Sequence, residues 1–167
     1  MTVQVSYSML LKATETVDVG LELGSNPIID HEIATDSTGT LNALSTPAVT
    51  VPWSDQLTLG GAVDTLDLTA LVRGNAALAN VDMTGLKVQA VKFHCPSANT
   101  GTAKIEKGAA NGYAILGASF DVITLSPGES AIFIRNESLP DVSGTVKTID
   151  ITSTVASDLL DVLLVAG

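Results

Sequence analysis

The stretch DVITLSPGESAIFI, residues 121–134, decides the fold. Its first arm, residues 121–125, is a short apolar run of strand type. Its second arm continues as SAIFIRN, residues 130–136, and alternates with period two. Period two sends successive side chains to opposite faces, so such a run reads as a strand with one face buried. Between the arms, Pro127 fixes φ and Gly128 tolerates a positive φ, the pair that a type II turn requires. A strand, a tight turn and a second strand follow within fourteen residues.

Working outward, the same alternation recurs. Residues 2–11 (TVQVSYSMLL) put Val3, Val5, Tyr7 and Met9 on one side, and residues 16–23 (TVDVGLEL) put Val17, Val19, Leu21 and Leu23 on one side. Residues 65–71 (TLDLTAL), 87–93 (KVQAVKF), 145–152 (TVKTIDIT) and 159–165 (LLDVLLV) read likewise. Weaker runs lie near 29–35, 48–51, 57–59, 102–106 and 113–116. Turn formers separate them: residues 36–39 (DSTG), Gly60-Gly61, residues 97–101 (SANTG) and Asn111-Gly112. One short helix is conceivable at residues 73–80, but Gly74 and Asn75 are poor interior residues for it. Leu68-Thr69-Ala70-Leu71 and Met83-Thr84-Gly85-Leu86 look alike, yet two short matches do not establish a repeat.

Many short strands at regular spacing predict an all-β fold, an antiparallel β-sandwich or jelly roll with little or no helix. The 167 residues fit one domain of ordinary size. Residues 1–55 read as N-terminal strands plus an extended arm or loop, and residues 56–167 as the main sandwich. The Ser/Thr/Pro-rich stretch 35–54 reads as a long loop or an arm with short β segments, with Trp53 inside it. A lone Trp there plugs the core or anchors an interface. Val3, Val5, Tyr7 and Trp53 are therefore the expected interface residues.

Composition narrows the function. Net charge is −10 and the isoelectric point is about 4.3, with eight Lys and Arg scattered along the chain. Nucleic acid and anionic membrane surfaces both want a basic face, so neither is an expected partner. Hydrophobic residues make up 46% and charged residues 16% of the chain, and mean hydropathy is +0.38. Such a surface is commonly covered by a partner or by further copies. One cysteine, Cys95, gives no disulfide framework. The N-terminal MTVQVSYSMLLKA lacks the positive and long apolar regions of a signal peptide. The apolar LLDVLLVAG near residue 167 is too short to span a bilayer.

Catalytic chemistry is hard to assemble. The chain has two histidines, His31 and His94, and a Ser or Cys nucleophile normally needs such a base nearby. Gly117-Ala118-Ser119-Phe120-Asp121 lacks the closing glycine of a nucleophile elbow. His94 and Cys95 are adjacent, so on a strand they would point to opposite faces. A blue-copper set is rejected because no histidine follows Cys95. Asp30, Glu32 and Asp36, and the pair Asp64 and Asp67, invite calcium, but without the loop spacing that calcium uses. No phosphate-binding loop is present. The expectation is no enzyme, no cofactor and no metal.

Residues 121–134, with their Pro-Gly turn, resemble elements of small virion proteins of tailed bacteriophages. The passage TVKTIDITSTVASDLLDVLLVAG (145–167) is similar to them too, as are TLDLTALV and DMTGLKVQAVKF. The resemblance covers residues 57–167 and implies a capsid decoration or cement protein, located in the virion. Its implied partners are other copies of itself, as a homo-oligomer, and a major capsid protein. Many weak contacts serve such a role, multiplied over a repeating shell. A carbohydrate- or receptor-binding sandwich of a fibre or tail is the alternative, and that reading needs exposed aromatic residues.

Overall fold

A computed structural model of the protein describes residues 3–8, 12–16, 28–32, 38–72, 80–117, 122–134 and 138–167. The chain divides into two units, Gln4–Leu41 and Asn42–Gly167, the latter joined by Met1–Val3. The described secondary structure is all β, and every strand pair is antiparallel.

In the smaller unit, β1 (Val5–Ser8) pairs with β4 (Thr38–Leu41), and β2 (Lys12–Thr16) pairs with β3 (Ile28–Glu32). The turn expected at residues 36–39 is corrected in part, because Thr38 and Gly39 lie in β4. Gly39 sits opposite Tyr7, and a Cβ at Gly39 would run into the Tyr7 ring. A glycine inside a strand is tolerated here because a cross-strand aromatic ring occupies the vacant side-chain volume. The strand expected at 16–23 lies outside the described residues beyond Thr16, as does the helix expected at 73–80 for residues 73–79.

The larger unit holds two four-stranded sheets. One has the order β10 (Ser130–Ile134), β7 (Val88–His94), β12 (Leu159–Ala166), β5 (Val51–Thr58). The other has the order β6 (Val63–Asp67), β11 (Thr148–Ser153), β8 (Ala103–Lys107), β9 (Val122–Leu125). Four of the pairings are nested: β5 with β12, β6 with β11, β7 with β10, and β8 with β9. The chain thus runs as one long antiparallel hairpin that turns back between β8 and β9. Rolling that hairpin brings β12 beside β7 and β11 beside β8. This is the jelly-roll arrangement of an eight-stranded sandwich.

Strand β12 alternates as the period-two reading requires, whereas the central strands β7 and β11 bury successive residues, 88–91 and 148–151. Leu160, Val162 and Leu164 of β12 are buried, while Leu163 between them is exposed. They join one core with Trp53, Val91 and Phe93 of the same sheet and Ile105, Leu125, Ile149 and Ile151 of the other. Stretch 35–54 holds short β segments: β4 lies within it, and the first sandwich strand opens at Val51 and contains Pro52 and Trp53. The sandwich therefore begins ahead of residue 56. Pro52 is tolerated because β5 is an edge strand, where a missing N–H can face away from the sheet. The N–H of Gln56, which has the same parity, is taken by the Asp55 carboxylate at 2.9 Å. Both features blunt this edge against strand addition.

The Pro-Gly turn forms as read. Gly128 has φ of 88°, and the N–H of Glu129 donates to the carbonyl of Ser126 at 2.9 Å. Residues 113–116, expected as a weak strand, are corrected to loop and turn. Their apolar residues are buried all the same: Tyr113, Ile115 and Leu116 belong to the core. The likeness between residues 68–71 and 83–86 has a local cause. Asp67 Oδ1 accepts from the N–H and hydroxyl of Thr69 (2.9 and 2.7 Å), and Asp82 Oδ1 accepts from the same groups of Thr84 (2.8 and 2.5 Å). One Asp-x-Thr turn is used twice.

Phe93 is fully buried, with Val162 opposite on one side and Ala131 on the other. Phe93→Ala removes a large core side chain and leaves a cavity that the paired strands cannot close. We expect a loss of about 3–5 kcal/mol, read from urea unfolding monitored by circular dichroism.

Candidate functional site

Of the four expected interface residues, Trp53 lies in the sandwich core, 3% exposed. Its Nε1 donates to the carbonyl of Val72 at 2.8 Å. Val3 is also buried and belongs to the larger unit. Val5 and Tyr7 are half-buried on β1 of the smaller unit. The four do not form one surface within either unit.

Most polar side chains near the core are occupied by structural work. Asp158 is 6% exposed. Its carboxylate accepts from the N–H groups of Thr100 and Gly101 (3.2 and 2.9 Å) and from Ser153 Oγ (3.0 Å), which fixes the β7–β8 loop. Asp150 accepts from Thr65 Oγ1 and the N–H of Ala109, both at 2.8 Å. Asp64 accepts from the N–H of Gly60 at 2.8 Å and closes the β5–β6 turn. Asp67 meets Lys147 Nζ at 2.6 Å. Cys95 is buried and receives Asn99 Nδ2 at 3.3 Å. Among the described residues no group of His, Cys, Asp and Glu is placed to hold a metal ion.

Asp67 and Tyr113 make pH-dependent contributions. Burial pushes the Asp67 carboxyl upward, but the hydrogen bonds from Lys147 and Thr69 outweigh it and hold the pKa below its ordinary 3.8. A lowered folded pKa means stability that is fully present above 3.8 and lost as pH falls through the folded value. Asp67→Asn should therefore be less stable at neutral pH and should lose less on acidification below 3.8, compared with the parent chain by thermal melts across pH.

Tyr113 is the opposite case. Its hydroxyl accepts from the N–H of Val88 (3.1 Å) and donates to the carbonyl of Pro140 (2.9 Å). Burial, with a smaller contribution from the Asp141 charge, pushes its pKa from 10.0 to about 12. Stability from this hydroxyl is present below pH 10.0 and lost as pH rises through about 12. Tyr113→Phe strands a buried N–H and should cost about 1–3 kcal/mol at neutral pH by urea unfolding. The variant should also flatten the alkaline limb.

The outer faces of the two sheets differ in chemistry. Outward from β6, β11, β8 and β9 the register aligns Val63, Thr152, Lys104 and Thr124 in one row and Thr65, Asp150, Glu106 and Val122 in the next. Lys104 and Glu106 pair within this face at 2.8 Å. Apart from Val63, Val122 and the buried Asp150, it is a solvated polar face. Outward from the other sheet, Gln56, Asp161, His94 and Ser130 form one row, and Ser54, Leu163, Lys92 and Ile132 form the next. Gln56 Nε2 donates to Asp161 Oδ1 at 2.7 Å, and His94 Nδ1 lies 2.8 Å from Ser130 Oγ. Leu163 and Ile132 are each 39% exposed on either side of Lys92. An open groove of about 520 Å³ runs over Ser54, Gln56, Lys92, His94, Asp161 and Leu163.

This second face is the candidate site. Sequence reasoning missed it because a face is made by four strands far apart in the chain. Its one legible sign was parity: Asp161 and Leu163 fall opposite the buried set of their own run. The groove has the chemistry of a contact surface, with apolar side chains for burial and a polar border for register. No protein-family model matches the chain, and no curated protein matches it.

Proposed function

We propose that this chain is a non-enzymatic structural protein of a bacteriophage virion, decorating or cementing the capsid through contacts with its own copies and with the major capsid protein. The outer face of the β10-β7-β12-β5 sheet carries this reading: an open, shallow groove with Leu163 and Ile132 exposed beside a polar row. The fold is compatible, since jelly rolls build viral capsid proteins as well as lectins, although a fold alone does not set function. The resemblance of residues 57–167 to phage virion proteins adds the particular setting.

The carbohydrate-binding alternative loses support from the aromatics. Among the described residues, Trp53, Phe93 and Tyr113 are buried, and Tyr7 and Phe133 are half-buried, while Phe120 lies outside the described residues. A sugar-stacking platform needs such rings on the surface. Trp53→Ala would damage the core, so a loss of glycan binding in that variant would not identify a ligand contact.

The test is particle fractionation. Lysis is induced in a producing culture, particles are banded on a density gradient, and the protein is quantified across fractions by mass spectrometry. A high, fixed copy number in intact heads is the expected result. A few copies per particle would move the role to a tail or fibre, and absence from all particle fractions would overturn the virion reading.

A further inference from the structure

We infer that β10 adds edge to edge to β10 of a second copy, antiparallel and centred on Ile132, so that two sandwiches share one continuous sheet. The inference rests on the homo-oligomeric part of the structural reading above and supplies its contact.

The two sheets have four edges, β10 and β5 in one, β6 and β9 in the other. Proline and charge protect an edge from strand addition. β5 carries Pro52 and Asp55, and β6 carries Asp64 and Asp67. β9 (VITL) and β10 (SAIFI) carry neither.

The backbone of β10 is also open on that side. The N–H of Cys95 donates to the carbonyl of Glu129 at 2.9 Å, one residue before the register of Ser130 with His94. Backbone groups alternate in direction along an antiparallel strand. Ala131 and Phe133 therefore turn theirs toward β7, and Ser130, Ile132 and Ile134 turn theirs outward. Among the described residues nothing takes the outward N–H and carbonyl of Ile132. Such a row is a template for one more strand.

Self-complementarity selects a second β10 as that strand. A two-fold contact matches residue i to j and j to i. Its axis must pass beside a residue, because pairing i with i+1 would set an inward side chain against an outward one. The five residues of β10 have such a centre in Ile132, whereas no residue-centred axis pairs all four of β9. About Ile132, each Ala131 faces Phe133 of the other copy on the core side. Both residues are only partly buried against the core, so each large ring meets a small methyl group. On the outer side Ile132, 39% exposed, meets its own counterpart, and Ser130 meets Ile134. The outward N–H and carbonyl groups of these residues then satisfy one another. The chain carries a net charge of −10, so copies repel over most approaches, but β10 itself holds no charge. In sequence the run is bracketed by Glu129 and Arg135, so antiparallel copies meet with unlike ends. One strand is a small contact, which places it among weak associations that a repeating shell would reinforce.

The full chain is examined by sedimentation equilibrium up to about 1 mM, the range of weak association. The expected mass approaches twice the 17.1 kDa of one chain. Amide exchange of Ile132, followed by NMR, should slow as the dimer forms. Ile132→Lys sets two like charges opposite each other at the axis and should weaken association by about 10-fold or more. Val63→Lys, the same kind of change on the protected β6 edge, should leave association as it is. Circular dichroism confirms that each variant is folded. A monomer at every concentration overturns the inference. So does a dimer in which the Ile132 amide exchanges as fast as in the monomer, or one that a folded Ile132→Lys leaves intact. Particle fractionation of the parent chain reads the virion role separately. A β10-paired dimer absent from particles would overturn that role and leave the contact standing, and a monomer abundant in particles would do the reverse.

Discussion

The antiparallel pairing of β5 with β12 is the constraint on which the sandwich depends. It joins Val51 to Ala166 and Thr58 to Leu159, so the first and last strands of the larger unit lie side by side over their full length. Closing so long a loop costs chain entropy, although that cost grows slowly with length. Burial on the inner side offsets it, where Trp53, Leu160, Val162 and Leu164 enter one core. Every other nested pair lies inside this outermost one. Such nesting makes most contacts non-local, and folds of that kind gain their stabilising contacts late in folding.

The same pairing builds the candidate face. Because β12 is central, its outward residues Asp161 and Leu163 acquire neighbours from β5 on one side and β7 on the other. Gln56 and His94 come to flank Asp161, and Ser54 and Lys92 come to flank Leu163. The inward residues of these strands hold the sheets together, and the outward ones are left for contact. The buried polar groups do different work. Asp158, Asp150 and Tyr113 satisfy loop N–H groups and hydroxyls that would otherwise be stranded at the ends of the sandwich, which is costly in a low-dielectric interior.

Several strands were legible from residues alone. The runs at 87–93, 130–136, 145–152 and 159–165 correspond to β7, β10, β11 and β12 within a few residues. Their sequence alternates, although β7 and β11, central in their sheets, bury successive residues at 88–91 and 148–151. The errors fall where local chemistry and tertiary context conflict. Pro52 and a Ser/Thr-rich neighbourhood disguised β5, which keeps its proline because its edge faces away from the sheet. Gly39 read as a turn until the Tyr7 ring opposite it gave the glycine a place in a strand. Residues 113–116 read as a strand because they are apolar, yet Tyr113 uses its ring to fill the core and its hydroxyl to tie Val88 to Pro140.

By itself the sequence determined the class of structure: period-two burial, turn residues between the runs, and too few helix-compatible windows to build anything but sheets. It also determined the acidic surface and the Asp-x-Thr turns, which are local in origin. Only the tertiary structure decided between a simple sandwich and a jelly roll, because strand order depends on which distant runs meet, and alternation carries no record of that. It decided the candidate face for the same reason. Lys92, Asp161 and Gln56 are separated along the chain, and their relation exists only through the register of β5, β12 and β7.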